Sequence, residues 1–153
     1  MSAYGDALKL LARRELSAAG VRSRLLDREH TPEDTDAAIA RLLENGALDD
    51  RRVARAYACT ASKIKGRGHL RVTRELQAMG IAREVVAEAI AEVFGDLDEP
   101  LLIDKAIQKR LRGKVVKTVQ ERARLYRFLM RQGFAPAAIS AALRRLSAAQ
   151  DAE

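Results

Sequence analysis

Gly66-Arg67-Gly68-His69-Leu70-Arg71 is the first stretch that could do chemistry, because two glycines followed by basic residues are the start of a phosphate-binding turn. A dinucleotide fingerprint needs a third glycine and a preceding strand, and the sequence offers neither. No Gly-Lys-Ser/Thr phosphate loop occurs, so the glycines are expected to form a hinge between helices. His30, His69 and Cys59 lack the spacing of metal ligands and are expected at the surface or in packing. Asp49-Asp50 could in principle hold Mg²⁺. Adjacent carboxylates ahead of an apolar-periodic run more often cap the free N–H groups of a helix, and that is the role expected here. The residues therefore predict no enzyme, no cofactor and no metal site.

The remaining chemistry is in arginines. Arg67, Arg71 and Arg74 recur at i, i+4 and i+7, within an arc of about 60° at 100° per residue. They lie opposite the apolar stripe Val72, Leu76 and Met79. Between Arg51 and Arg83 there are nine Lys and Arg against one acidic residue, Glu75. Such a face is usually just solvated. Its recurrence argues for more, since aligning Leu76 with Leu129 places Arg71 on Arg124 and Arg74 on Arg127, with Arg131 extending the row. These side chains point away from Leu125, Leu129 and Met130, so packing gives no reason for the match. The equivalent positions near the N-terminus are Gly20 and Ser23. The ridge Arg67, Arg71, Arg74, Arg124, Arg127 and Arg131 is the candidate binding surface.

The elements that carry this ridge are helical. Ala, Leu, Arg and Glu dominate the 153 residues, aromatics make up 4%, and no segment alternates with period two. An N-terminal helix over Ala7–Ser17 is expected to end near Gly20, with a second starting at Val21. Thr31-Pro32-Glu33-Asp34 opens a third as cap, first-turn proline and first-turn acids, with Thr35, Ile39 and Leu42 facing inward and Asn45-Gly46 closing it. The same plan returns twice. Leu25, Leu76 and Leu129 are each followed after 14 residues by Ile39, Ile90 and Leu143, and after 17 by Leu42, Val93 and Leu146. Thr35, Val86 and Ile139 share one position, while Gly80-Ile81 and Gly133-Phe134 share another, filled by Glu29-His30 in the first repeat. Gly80 and Gly133 fit the position after a helix end where glycine takes left-handed geometry. The expected fold is all-α, an elongated tandem array of three three-helix repeats over 1–48, 49–97 and 98–153. Asp96–Pro100 reads as a linker, and the tail after Leu146 is expected to fray. Charge follows the repeats: Asp27–Asp50 carries eight acidic and two basic residues, Glu84–Asp104 seven and none, Lys105–Arg131 one and ten.

The whole pattern resembles the RecX family, small regulators of the recombinase RecA. The specific parts are Ala7-Leu8 with Leu11-Ala12-Arg13-Arg14-Glu15 and Ser17, Leu48-Asp49-Asp50 with Ala54 and Tyr57, the Gly66–Gly68 hinge with Glu75-Leu76 and Gly80-Ile81, and Arg131 with Gly133-Phe134. Gln132 stands where a basic residue is common in such proteins, and His69 where proline is frequent. The resemblance implies a curved array lying in the helical groove of the RecA–DNA filament, modulating and mainly inhibiting RecA's ATPase, strand exchange and coprotease functions. It makes the RecA filament the expected partner, with non-specific DNA contact as a further option.

A net charge of +7 and a pI near 10.0 favour an anionic partner but do not choose one. The rival reading is a helix-turn-helix-like protein acting on DNA without RecA. Against it, the ridge lacks the Asn or Gln cluster that reads adenine edges. One cysteine permits no internal disulfide, and no long apolar run marks a leader or membrane span. A soluble, cytoplasmic protein is expected, monomeric because the ridge repels itself.

Overall fold

Short polar side chains set the helix starts. In the computed structural model, which describes residues 1–152, α1 (Ala3–Arg13) begins behind Ser2, whose Oγ accepts the Gly5 N–H at 3.0 Å. α2 (Ala18–Asp27) begins behind Ser17 in the same way, and α3 (Pro32–Glu44) behind Thr31 with Pro32 at its first position. α4 (Asp50–Lys63), α5 (His69–Ala78) and α6 (Arg83–Gly95) follow. α7 (Glu99–Leu111) is capped by Asp98, and α8 (Val119–Gln132) by a full capping box of Thr118 and Glu121. The Glu121 carboxylate accepts the Lys117 N–H at 2.7 Å, which holds its pKa below the ordinary value. α9 (Pro136–Asp151) completes nine helices, with no strand among the described residues.

Three local expectations are corrected. Gly20 lies inside α2, because Ser17 captures its N–H and starts the helix earlier than the glycine suggested. The linker at Asp96–Pro100 shrinks to a short turn, since Asp98 caps α7 and Pro100 falls in its first turn. Beyond Leu146, α9 continues through Asp151.

The chain packs as two compact units: Met1–Tyr57 with Glu75–Ala89, and Ala58–Arg74 with the chain from Ile90 onward. In the first, Ala7, Val21, Leu25, Leu42 and Leu48 form the centre of one apolar cluster. Leu25 and Leu42 are fully buried, which stabilises the fold by roughly 1.5–3 kcal/mol each. The inward stripe of α3 is Thr35, Ala38 and Leu42, with Ile39 only partly buried at its edge. In the second unit, Ile103 and Ile107 of α7, Leu125 and Leu129 of α8, and Phe134, Ile139 and Leu143 form the corresponding cluster.

The repeat register is written in the backbone. Leu25, Leu76 and Leu129 are all fully buried, and each helix that carries one closes with the same turn. His30, Ile81 and Phe134 donate their N–H to the carbonyls of Leu25, Leu76 and Leu129 at 3.2, 3.4 and 3.3 Å. The residue before each takes positive φ: Glu29 at 69°, Gly80 at 77° and Gly133 at 100°. Where repeats two and three bury Ile81 and Phe134, the first has the half-buried His30, whose Nε2 meets the Asp6 carboxylate at 2.6 Å.

Candidate functional site

The ridge depends on how α5 and α8 meet within the second unit. The Gly68 N–H donates to the Gln132 carbonyl at 2.7 Å and the Leu70 N–H to the Gly133 carbonyl at 3.0 Å. Free donors at the start of α5 thus satisfy free acceptors at the end of α8, an alignment that also suits the two helix dipoles. The approach leaves no space for side chains. A Cβ on Gly68 would lie 2.5 Å from the Gly133 carbonyl, and one on Gly133 would lie 2.3 Å from Arg71 Cβ.

The first unit holds an equivalent junction, where the end of α5 meets the start of α2. The Ser17 hydroxyl donates to the Met79 carbonyl at 2.6 Å while accepting from Gly20, and the Asp50 carboxylate accepts the Ala18 N–H at 2.9 Å. Asp49 caps α4 as expected, through the N–H groups of Arg51 and Arg52. Asp50 does not share that task. As the first residue of α4 it reaches across to α2, a tertiary contact that no local pattern announces.

Arg74, Arg124, Arg127 and Arg131 are exposed, while Val72, Leu76, Leu125 and Leu129 are buried, so the two faces separate as the periodicity implied. Met79 is only partly buried, and Met130, expected inside, is exposed. Arg71 differs from the expectation that packing gives it no role. Its Nη1 donates to Gln132 Oε1 at 3.1 Å and to the Arg131 carbonyl at 3.4 Å, so it closes the end of α8. A basic side chain at 132 could not accept that bond, which gives Gln132 a physical reason. Arg67 is half-buried in the turn before α5, where its N–H donates to the Ala61 carbonyl at 2.9 Å and Gly66 takes φ of 67°. In the first repeat, Arg22 is paired with Asp36 at 2.9 Å and Arg24 donates to the Gly20 carbonyl.

His69 opens α5, with Nδ1 3.4 Å from Glu99 and its ring edge-on to Phe94. Among the described residues no cluster of three or more His, Cys, Asp or Glu is placed to hold a metal, and no helix is long and apolar enough to cross a membrane. A second basic feature could not be read from the sequence: a groove of about 730 Å³ between the end of α4, α7 and α8, lined by Lys63, Lys65, Lys105, Lys109, Arg110 and Arg112 among others. Its one signal was the basic run from Lys105, which says nothing of Lys63 at the end of α4 and Lys65 in the turn after it.

Triplets of helices repeated in tandem, with arginines on the middle helices of the second and third, define an all-α repeat protein. Family models of the first, second and third three-helix domains of RecX match residues 3–42, 49–90 and 102–143. The chain is 37% identical to the regulatory protein RecX of Thermus thermophilus over 86% of its own length and 83% of that protein's. It is 32% identical to that of Vibrio parahaemolyticus over 94% and 90%. The crystal structure of RecX from Lactobacillus salivarius superposes with a TM-score of 0.78 at 17% identity, covering 95% of this chain and 94% of that one. The chain belongs to the RecX family of regulatory proteins.

Proposed function

We propose that this protein binds the RecA–DNA filament and modulates RecA, mainly by inhibiting its ATPase, strand exchange and coprotease activities. The observation that carries the reading is the match to all three RecX domains in order along the chain. The contact surface is the ridge Arg67, Arg71, Arg74, Arg124, Arg127 and Arg131. Guanidinium forks suit the carboxylates and phosphates of such a filament, and each contact to a charged group contributes about 1.5–3 kcal/mol. Arg71 carries a second duty at the α5–α8 junction, so its reversal would confuse folding with binding.

The test is a titration of folded variants into RecA on single-stranded DNA while ATP hydrolysis is followed at constant salt. Arg124→Glu with Arg127→Glu, and separately Arg74→Glu, should abolish the effect with helicity intact. Arg22→Glu with Arg24→Glu should do much less. An equal or larger defect in the first-repeat variant moves the contact surface elsewhere, and no effect of the wild-type protein at stoichiometry sinks the reading.

A further inference from the structure

The groove between α4, α7 and α8 combines a cationic rim with exposed aliphatic surface. Lys63, Lys65, Lys105, Lys109, Arg110 and Arg112 line it, and no carboxylate does. None of the six pairs with a carboxylate among the described residues. The dipole of a helix end favours cations, which accounts for Lys63, Lys109 and Arg110 in the last turns of α4 and α7. It gives no reason for Lys65, Lys105 and Arg112. Between these charges Ile64 is 76% exposed, and Leu102, Ala106 and Phe128 are only partly buried. Apolar surface left open inside a polar rim marks a place where a partner docks.

The arrangement on α7 narrows the kind of partner. At about 100° per residue, Leu102 and Ala106 lie within an arc of about 40°, with Lys105 and Lys109 on one flank and Arg110 on the other. An apolar strip between two basic flanks is the complement of an amphipathic helix whose polar positions are acidic. Lys105 and Lys109 are separated by about 6 Å of helix rise, the same spacing that carboxylates at i and i+4 have on a second helix. Ile64 forms an aliphatic lip on the other side, where a leucine or isoleucine of that helix would lose its water. A phosphate backbone would meet the cations and leave the aliphatic surface unused. The one aromatic ring lining the groove, Phe128, packs against the core and has the Arg110 guanidinium 4.5 Å over its ring, so it offers a base no open face.

We propose that this groove docks an acidic amphipathic helix of a partner protein, with its apolar side chains on Ile64, Leu102 and Ala106 and its carboxylates on the lysines of α7. The site is separate from the ridge and does not rest on the RecA reading, which its test leaves untouched.

The probe is a labelled peptide of about 15 residues, long enough to form a helix, with leucines at i, i+3, i+4 and i+7 spacing and glutamate on the opposite face. Its anisotropy would be followed with the full chain, without RecA, over a range of salt. Binding should be saturable and should raise the peptide's helicity. A scrambled peptide of the same composition, whose leucines no longer share a face, should bind at least about tenfold more weakly. Lys105→Glu with Lys109→Glu should weaken binding at least about tenfold and reduce its salt dependence. The milder pair Lys105→Gln and Lys109→Gln should show the same direction, and circular dichroism confirms folding of both. Ile64→Ser, at an exposed position, should weaken binding at least about fivefold with the salt dependence unchanged. Lys9→Glu with Arg144→Glu, an equal charge change away from the groove, should do little. Equal binding of the scrambled peptide, or no effect of Ile64→Ser, overturns the proposal, and equal weakening in the control pair overturns the site. An oligothymidine of equal charge whose binding also weakens fivefold with Ile64→Ser would assign the same surface to nucleic acid and overturn the helix.

Discussion

Replacing Gly80 with alanine separates two constraints that act at one residue. Its φ of 77° is left-handed, and a Cβ there would lie 2.5 Å from the Cβ of Ala19 at the start of α2. Left-handed geometry costs an alanine about 1–2 kcal/mol, partly offset by about 0.5–1 kcal/mol because alanine loses less backbone freedom on folding. The overlap with Ala19 adds about 1–3 kcal/mol, because neither a Cβ nor a helix start can rotate aside. Gly80→Ala should therefore destabilise by roughly 1–4.5 kcal/mol, and the melting temperature should fall by about 2–4 °C per kcal/mol in a chain of this size. Ala19→Gly alone should cost no more than about 1 kcal/mol as a loss of helix propensity. Combined with Gly80→Ala, it removes the overlap but not the strain. The pair should be more stable than the sum of the single effects by about 1–3 kcal/mol in thermal or urea unfolding. Strictly additive effects would refute the close approach of α5 to α2 and leave only the strained turn.

Thr35 Oγ1 is fully buried without a hydrogen-bond partner, at the position that Val86 and Ile139 occupy in the other repeats. Thr35→Val keeps the shape and removes the stranded hydroxyl, so stability should rise by about 1 kcal/mol in urea unfolding, and a decrease would show that the hydroxyl is satisfied. Asp6 has its pKa lowered from 3.8, first by its hydrogen bond with His30 and further by the charges of His30 and Arg28. A lowered folded pKa gives stability that is present above the unfolded value and is lost as pH falls through the folded one. The stability difference between wild type and Asp6→Asn should thus be full near pH 6 and fade below about pH 4, and a difference that grows on acidification would contradict this.

What was legible in the sequence was local or periodic. Thr31-Pro32 announces a helix start because cap and first-turn proline act within four residues, and Gly80 and Gly133 announce helix ends for the same reason. The repeat could be read from Leu25, Leu76 and Leu129 because each repeat buries that leucine, although the positions 14 and 17 residues on are filled unevenly, with Ile39, Ile90 and Leu146 only partly buried. Features that depend on tertiary approach were not legible. Asp50 looks like half of a cap for α4, yet its carboxylate is bonded to Ala18, 32 residues earlier. Arg71 keeps ridge spacing whether or not Gln132 lies beside it. The groove takes lysines from α4 and α7, and nothing in either segment shows that they share a wall.

The three equivalent turns show which requirement selects glycine. Glu29, Gly80 and Gly133 share positive φ and the same backbone hydrogen bond to a buried leucine, so the turn alone does not need glycine. What distinguishes them is the neighbour. Gly80 abuts Ala19 and Gly133 abuts Arg71, each at the start of another helix, whereas Glu29 is exposed. The residue after the turn responds in the same way: Ile81 and Phe134 are buried, while His30 is only half-buried and carries a polar tie to Asp6. Glycine at this position therefore marks a place where one middle helix ends against the start of another. Strain at Glu29 is tolerable because a left-handed turn costs only about 1–2 kcal/mol, whereas at Gly80 and Gly133 overlap with the neighbouring helix would add to it. The same logic explains why Arg71 does two things. It stands where Gly133 needs a close neighbour, so its Cβ packs the junction and its guanidinium reaches the end of α8.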